Sequence, residues 1–194
     1  MKLNVRGGAI DVHHHFVPPG GATNRPWSPE MSLEQMDKFG IAVAILSMTQ
    51  NGELLYNGGE KGRSAVRAGN EYGAELMQKH PDKFGLLGGI PMPDIEGSLR
   101  EVEYAYDVLK VDGIGIYTND NRGRWPGDPY FEPLWQELDR RNAIVYMHEG
   151  VHARVADPVR YRLFPGADRV DGGPAARAQA VARVRADDAA RERG

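Results

Sequence analysis

Five consecutive residues near the N-terminus, Asp11-Val12-His13-His14-His15, hold the densest potential chemistry in the chain. They overlap the end of a short apolar run, Ala9–Val12, of the kind that forms a buried strand. Side chains alternate along a strand, so His13 and His15 share one face and His14 takes the other. Two imidazoles on one face can share a divalent cation at about 2.1 Å each. Far along the chain a second apolar run, Ala143–Met147, ends in His148. At the C-terminal end of a later parallel strand, His148 stands where a third ligand would be placed. The competing reading is a surface histidine run or tag remnant, with His148 an ordinary interior or loop residue. Imidazoles presented by two separate strands at the same end of one sheet favour the metal. No cysteine occurs, so any metal is held by imidazole and carboxylate rather than thiolate.

Weaker candidates surround these histidines. Arg25 and Trp27, in the loop after the first strand, have the chemistry to contact a substrate carboxylate and ring. Asn119, Asp120 and Arg122 follow the fourth apolar run and are further candidates for substrate contact. Gly88-Gly89 reads as close strand packing rather than a phosphate cradle, because no helix N-terminus follows directly.

The elements that must position these residues are legible as an alternation. Apolar runs at Ala9–Val12, Ile41–Leu46, Phe84–Ile90, Gly113–Ile116 and Ala143–Met147 read as strands. Between them lie helical patterns. Ser32-Leu33-Glu34-Gln35 and Ser98-Leu99-Arg100-Glu101 have the form of capping boxes. Arg63–His80 is a helix closed by Pro81, and Phe131, Leu134, Trp135 and Leu138 form an apolar stripe. Apolar strands joined by helices imply a parallel sheet covered on both faces, either open and doubly wound or a barrel. The dinucleotide fingerprint G-x-G-x-x-G is missing after the first strand, which favours the barrel. The expected fold is therefore α/β: a partial TIM-type (β/α)8 barrel of five parallel strands with outer helices. Active sites of such barrels sit at the C-terminal rim, where His13, His15 and His148 fall.

Composition bounds the rest. The 194 residues are 41% hydrophobic and 26% charged, values of a soluble globular chain. A net charge of −3 provides no global field for nucleic acid or an anionic membrane. No apolar stretch is long enough for a signal peptide or a membrane span, which points to the cytoplasm. Residues 1–150 carry six Lys and nine Arg against 21 acids, a net of −6. Residues 151–194 carry nine Arg, no Lys, six acids, eleven Ala and one Leu, a net of +3. The first span reads as the barrel part; the second reads as a divergent or poorly packed tail, with few large apolar side chains to offset ordering entropy.

The strings IDVHHHFVPP, SLEQMDKFGIAVAILS, PDKFGLLGGIPMPD and VDGIGIYTNDNRGRWPGDPYFEPLWQELDRRNAIVYMHEG resemble the amidohydrolase superfamily. The nearest likeness is to the branch containing aminocarboxymuconate semialdehyde decarboxylase and related aromatic-acid decarboxylases, over residues 9 to about 150. The resemblance implies a divalent metal, zinc first and manganese as the alternative, held by His13, His15 and His148. It also implies a strand-six histidine and a strand-eight aspartate, for which this sequence offers no counterpart. His152 follows His148 too closely, and Asp157, Asp168, Asp171, Asp187 and Asp188 follow no strand-like run. Where the family usually has proline after the strand-five histidine, this chain has Glu149.

The implied activity is carbon–carbon lyase chemistry, a decarboxylase acting on a small aromatic or unsaturated carboxylic acid. The alternatives are a metal-dependent hydrolase of an amide, ester or lactone, and an inactive barrel fragment truncated or frameshifted after about residue 148. The missing ligands predict weak activity or none. Open strand edges admit self-pairing, with a homodimer as its simplest form.

Overall fold

A computed structural model describes residues 8–21, 26–48, 59–120 and 124–148. Arg25, Arg122, His152 and the whole Arg/Ala-rich segment, with the loose packing expected of it, lie outside the described residues. Five strands form one parallel sheet in the order of the chain: β1 (Ala9–Phe16), β2 (Ile41–Met48), β3 (Phe84–Gly89), β4 (Gly113–Tyr117) and β5 (Val145–His148). Among the described residues four helices connect them: α1 (Pro29–Phe39), α2 (Gly59–Lys79), α3 (Ile95–Tyr104) and α4 (Glu132–Arg140). A π-helical turn, Ala105–Leu109, prolongs α3, and a 3-10 turn, Pro129–Phe131, precedes α4.

Strand order separates the two topologies that periodicity leaves open. A doubly wound sheet reverses direction at a switch point; here every strand neighbours its predecessor. The sheet also curls. In a flat sheet β1 and β5 would lie four strand spacings apart, about 19 Å, yet His13 on β1 touches Tyr146 on β5. The array is thus a barrel segment, with its concave face toward the lumen.

Two helix starts differ from those expected. Helix α1 begins a turn before Ser32: Ser28 is the N-cap, accepting from the Met31 N–H, and Pro29 follows in the first turn. Proline has the helical φ already fixed, so this earlier serine nucleates the helix. Helix α3 likewise starts at the Asp94 cap, which accepts from the Gly97 N–H. Ser98 and Glu101 are instead buried inside it. Capping patterns recur cheaply in sequence, and the frame is selected by burial of Val102 and packing of the partly buried Ile95 against the core. Helix α1 ends at Gly40, at φ 66, a conformation that favours glycine.

Even-numbered residues at the end of β1 face the helices. Phe16 is fully buried and packs on Tyr72 of α2 and on Trp27. With Phe84, Leu86, Phe131 and Leu134 it anchors the layer between sheet and helices; burial of each stabilises by about 1.5–3 kcal/mol. Asn70 of α2, 1% exposed, bridges this layer to the rim by donating to the Gly89 carbonyl and accepting from the Gly89 N–H. Buried Glu101 and the partly exposed Arg67 complete that network. Among the described residues no helix is long and apolar enough to cross a membrane.

Candidate metal centre

Strand β1 does not run straight into the site. Its pairing with β2 shifts between Asp11 and His14, so three steps along β1 match two along β2, from Ala44 to Leu46. Such a bulge re-aims side chains at a rim. Asp11 supports it: Oδ1 accepts the His13 N–H at 3.0 Å, and Oδ2 pairs with His14 Nδ1 at 2.9 Å. Burial pushes the Asp11 carboxyl up, but the bonds from His14 and His13 together hold it below the usual carboxylate range.

His14 points outward, as alternation requires. Its Nε2 meets Ser32 Oγ on α1 at 2.9 Å, and Trp27 Nε1 donates to the same hydroxyl at 3.0 Å. Asp11, His14 and Ser32 thus have the spacing of a nucleophilic triad. Ser32 is 4% exposed and its oxygen already serves two partners, so the arrangement latches β1 to α1.

On the lumen side three imidazoles meet. His13 Nε2 lies 2.9 Å from His15 Nε2, which lies 3.1 Å from His148 Nε2. One ligand atom from each falls within 4.8 Å of the others. The other ring nitrogens are engaged by hydroxyls: His13 Nδ1 with Tyr146, and His15 Nδ1 with Ser47 Oγ at 3.1 Å. Burial, then the neighbouring His13 and His148, pushes His15 down to about 4, so it is neutral at pH 7 with a lone pair to offer.

This donor set fits a divalent cation. Two nitrogens about 2.1 Å from one ion stand about 3.0–3.4 Å apart at octahedral to tetrahedral angles. The two short separations here, 2.9 and 3.1 Å, are close to that range. Hydrogen-bonded outer nitrogens are the usual support for such ligands. Among the described residues no carboxylate joins the cluster.

A small pocket of about 40 Å³ opens beside the cluster, lined by His15, His148, Met48, Ile90, Ile116 and Tyr117 among others. Burial pushes the Tyr117 phenol up to about 12. The weaker sequence candidates make contacts of their own. Trp27 has its N–H committed to Ser32. Asn119 is 3% exposed and donates to the Asp120 carbonyl, while Asp120 grips Arg124. Arg25 lies outside the described residues. Sequence reasoning named Asp11 within the histidine run without giving it a role, and it missed Ser47 and Tyr146; of these two Tyr146 carried a signal, since it sits two positions before His148 and so shares its face.

A family model described as amidohydrolase matches residues 10–192. Decarboxylase macB of Penicillium terrestre is 36% identical over 156 residues, covering 72% of this chain and 46% of the relative. The 6-methylsalicylic acid decarboxylase of Penicillium expansum is 31% identical over 154 residues, covering 72% of this chain and 48% of the relative. The chain spans about half the length of the curated relatives it matches. Among solved structures, a dihydroxybenzoic acid decarboxylase from Polaromonas, with manganese and 2-nitroresorcinol bound, superposes with a TM-score of 0.65 at 21% identity. That match covers 84% of this chain and 54% of the other, and at this identity it speaks for the fold.

Proposed function

The chain belongs to the amidohydrolase family, and from that premise we propose that it acts as a carbon–carbon lyase, a decarboxylase of an aromatic or unsaturated carboxylic acid. His13, His15 and His148 hold its divalent cation. The observation that carries this reading is the meeting of three imidazole nitrogens from strands on opposite sides of the lumen. The names of the relatives favour decarboxylation over hydrolysis. Zinc suits a set of imidazoles, and manganese, present in the Polaromonas structure, is the competitor.

When bound, a divalent cation polarises substrate oxygens and supplies positive charge. Three neutral imidazoles leave that charge uncompensated, which favours an anionic substrate. Met48, Leu87, Ile90 and Ile116 give the pocket an apolar wall. In the reaction, the bond between the ring carbon and the carboxylate carbon breaks. Its electron pair stays on the ring carbon, which takes up one proton, and carbon dioxide leaves.

The test is CO2 release from 6-methylsalicylate and from a dihydroxybenzoate by the purified chain with zinc or manganese added. Slow, metal-dependent release is expected, abolished by a chelator and by His148→Ala. It is slow because the described residues provide neither the aspartate nor the extra histidine that the resemblance calls for. Hydrolysis of an ester or lactone without CO2 release would move the chain to the hydrolytic reading. Failure to take up metal would end both.

A further inference from the structure

Strand β5 brings two polar groups into the lumen. His148 is one; Tyr146, on the same face two residues earlier, is the other. Tyr146 is 8% exposed, and its hydroxyl reaches across the lumen to Nδ1 of His13. The two rings stand edge to face, with centroids 5.6 Å apart. The opposite nitrogen of His13, Nε2, faces His15 Nε2 at 2.9 Å. Each of the two β1 histidines in the cluster therefore has a hydroxyl on its outer nitrogen, Tyr146 for His13 and Ser47 for His15.

A neutral imidazole carries one proton, and the nitrogen without it is the one that binds metal. With the phenol oxygen as acceptor at Nδ1, the His13 proton sits on Nδ1, which leaves the lone pair on Nε2. We propose that Tyr146 is the positioning residue that fixes the tautomer and ring orientation of His13, presenting Nε2 to the cation. The inference rests on the metal reading given above. Strand β5 then contributes twice, with His148 as ligand and Tyr146 as the support of a ligand on another strand. The bulge at Asp11 gives this contact its purpose: the β1 backbone is irregular at His13, so a second strand holds the ring. Phenylalanine in place of Tyr146 keeps the packing and removes only the acceptor, and loss of such an outer bond typically costs about 10–100-fold in metal affinity.

The experiment titrates the full 194-residue chain and its Tyr146→Phe variant with zinc alone, and reads the His13 tautomer from histidine ¹⁵N shifts. The parent is expected to bind zinc with Nδ1 of His13 protonated. Tyr146→Phe is expected to bind roughly 10–100-fold more weakly, with a metal-free melting temperature near that of the parent. Equal affinity in the two, with binding intact in the parent, would overturn this inference and leave the metal reading standing. Absence of zinc binding by the parent would overturn both. Should Tyr146→Phe not fold, the parent's spectrum decides, since a His13 protonated at Nε2 contradicts the proposal.

Discussion

At the scale of residues, neighbouring histidines have opposite duties, and substitution separates them. Replacing His13 and His15 together with alanine removes two of the three clustered nitrogens; zinc uptake measured by calorimetry should vanish. His14→Ala should leave zinc stoichiometry intact and lower stability by about 1–3 kcal/mol, because the Asp11 carboxylate and Ser32 hydroxyl lose a buried partner. Loss of zinc binding on replacing His14 alone would contradict the division of faces. Trp27 makes a second case. Trp27→Phe keeps a ring against Phe16 and deletes the N–H that Ser32 accepts. A melt should show a loss of about 0.5–1.5 kcal/mol with KM unchanged. A raised KM at unaltered stability would make Trp27 a substrate contact.

At the scale of elements, the site depends on how closely β4 and β5 approach. A Cβ on Gly113 would stand 2.8 Å from the Ile144 carbonyl oxygen and 2.9 Å from Leu87 Cδ2. The carbonyl is backbone and accepts the Ile114 N–H at 2.8 Å, so it cannot retreat without opening the ladder. Gly113→Ala should destabilise by about 1–3 kcal/mol. It should also weaken zinc binding, since the strand it displaces carries His148; denaturant melts beside zinc titrations test both. The end of α4 has its own tie. Arg141 is bonded to Asp107 on the π-helical turn and to Glu137. Arg140 first, then Arg141, holds the Glu137 carboxyl down to about 2. A lowered carboxyl contributes stability above its ordinary value of 4.5, and that contribution fades as pH falls toward about 2. Melting temperatures of the parent and Glu137→Gln should therefore differ at pH 6 and converge between pH 4 and 2.

At the scale of the whole molecule, the cluster joins the two outermost described strands across the lumen. A cation bound there clamps the curl of the sheet, and it binds the folded state rather than the unfolded one. At free zinc a hundred times Kd, the gain is about 2.7 kcal/mol. Zinc should raise the melting temperature in a concentration-dependent way, and His148→Ala should abolish the rise. A rise that survives His148→Ala would place the ion elsewhere.

Strand alternation made His13 and His15 partners and set His14 apart. The position of His148 at the end of an apolar run put it at the same rim. Those properties are local to a strand, so the sequence alone could hold them. The same is true of the stripe on α4 and the Gly40 stop of α1. Helix starts were not local: Ser28 competes with Ser32, and Asp94 with Ser98, and the winner is the frame whose apolar residues find cover. The bulge at Asp11 arises from pairing with β2 and has no signature in β1 itself. Curl is likewise a relation among strands, which is why periodicity left barrel and open sheet equal; the missing dinucleotide fingerprint favoured the barrel, and strand order bore that out. Tyr146 and Ser47 became supports of the histidines only when three-dimensional packing brought their hydroxyls to ring nitrogens on another strand.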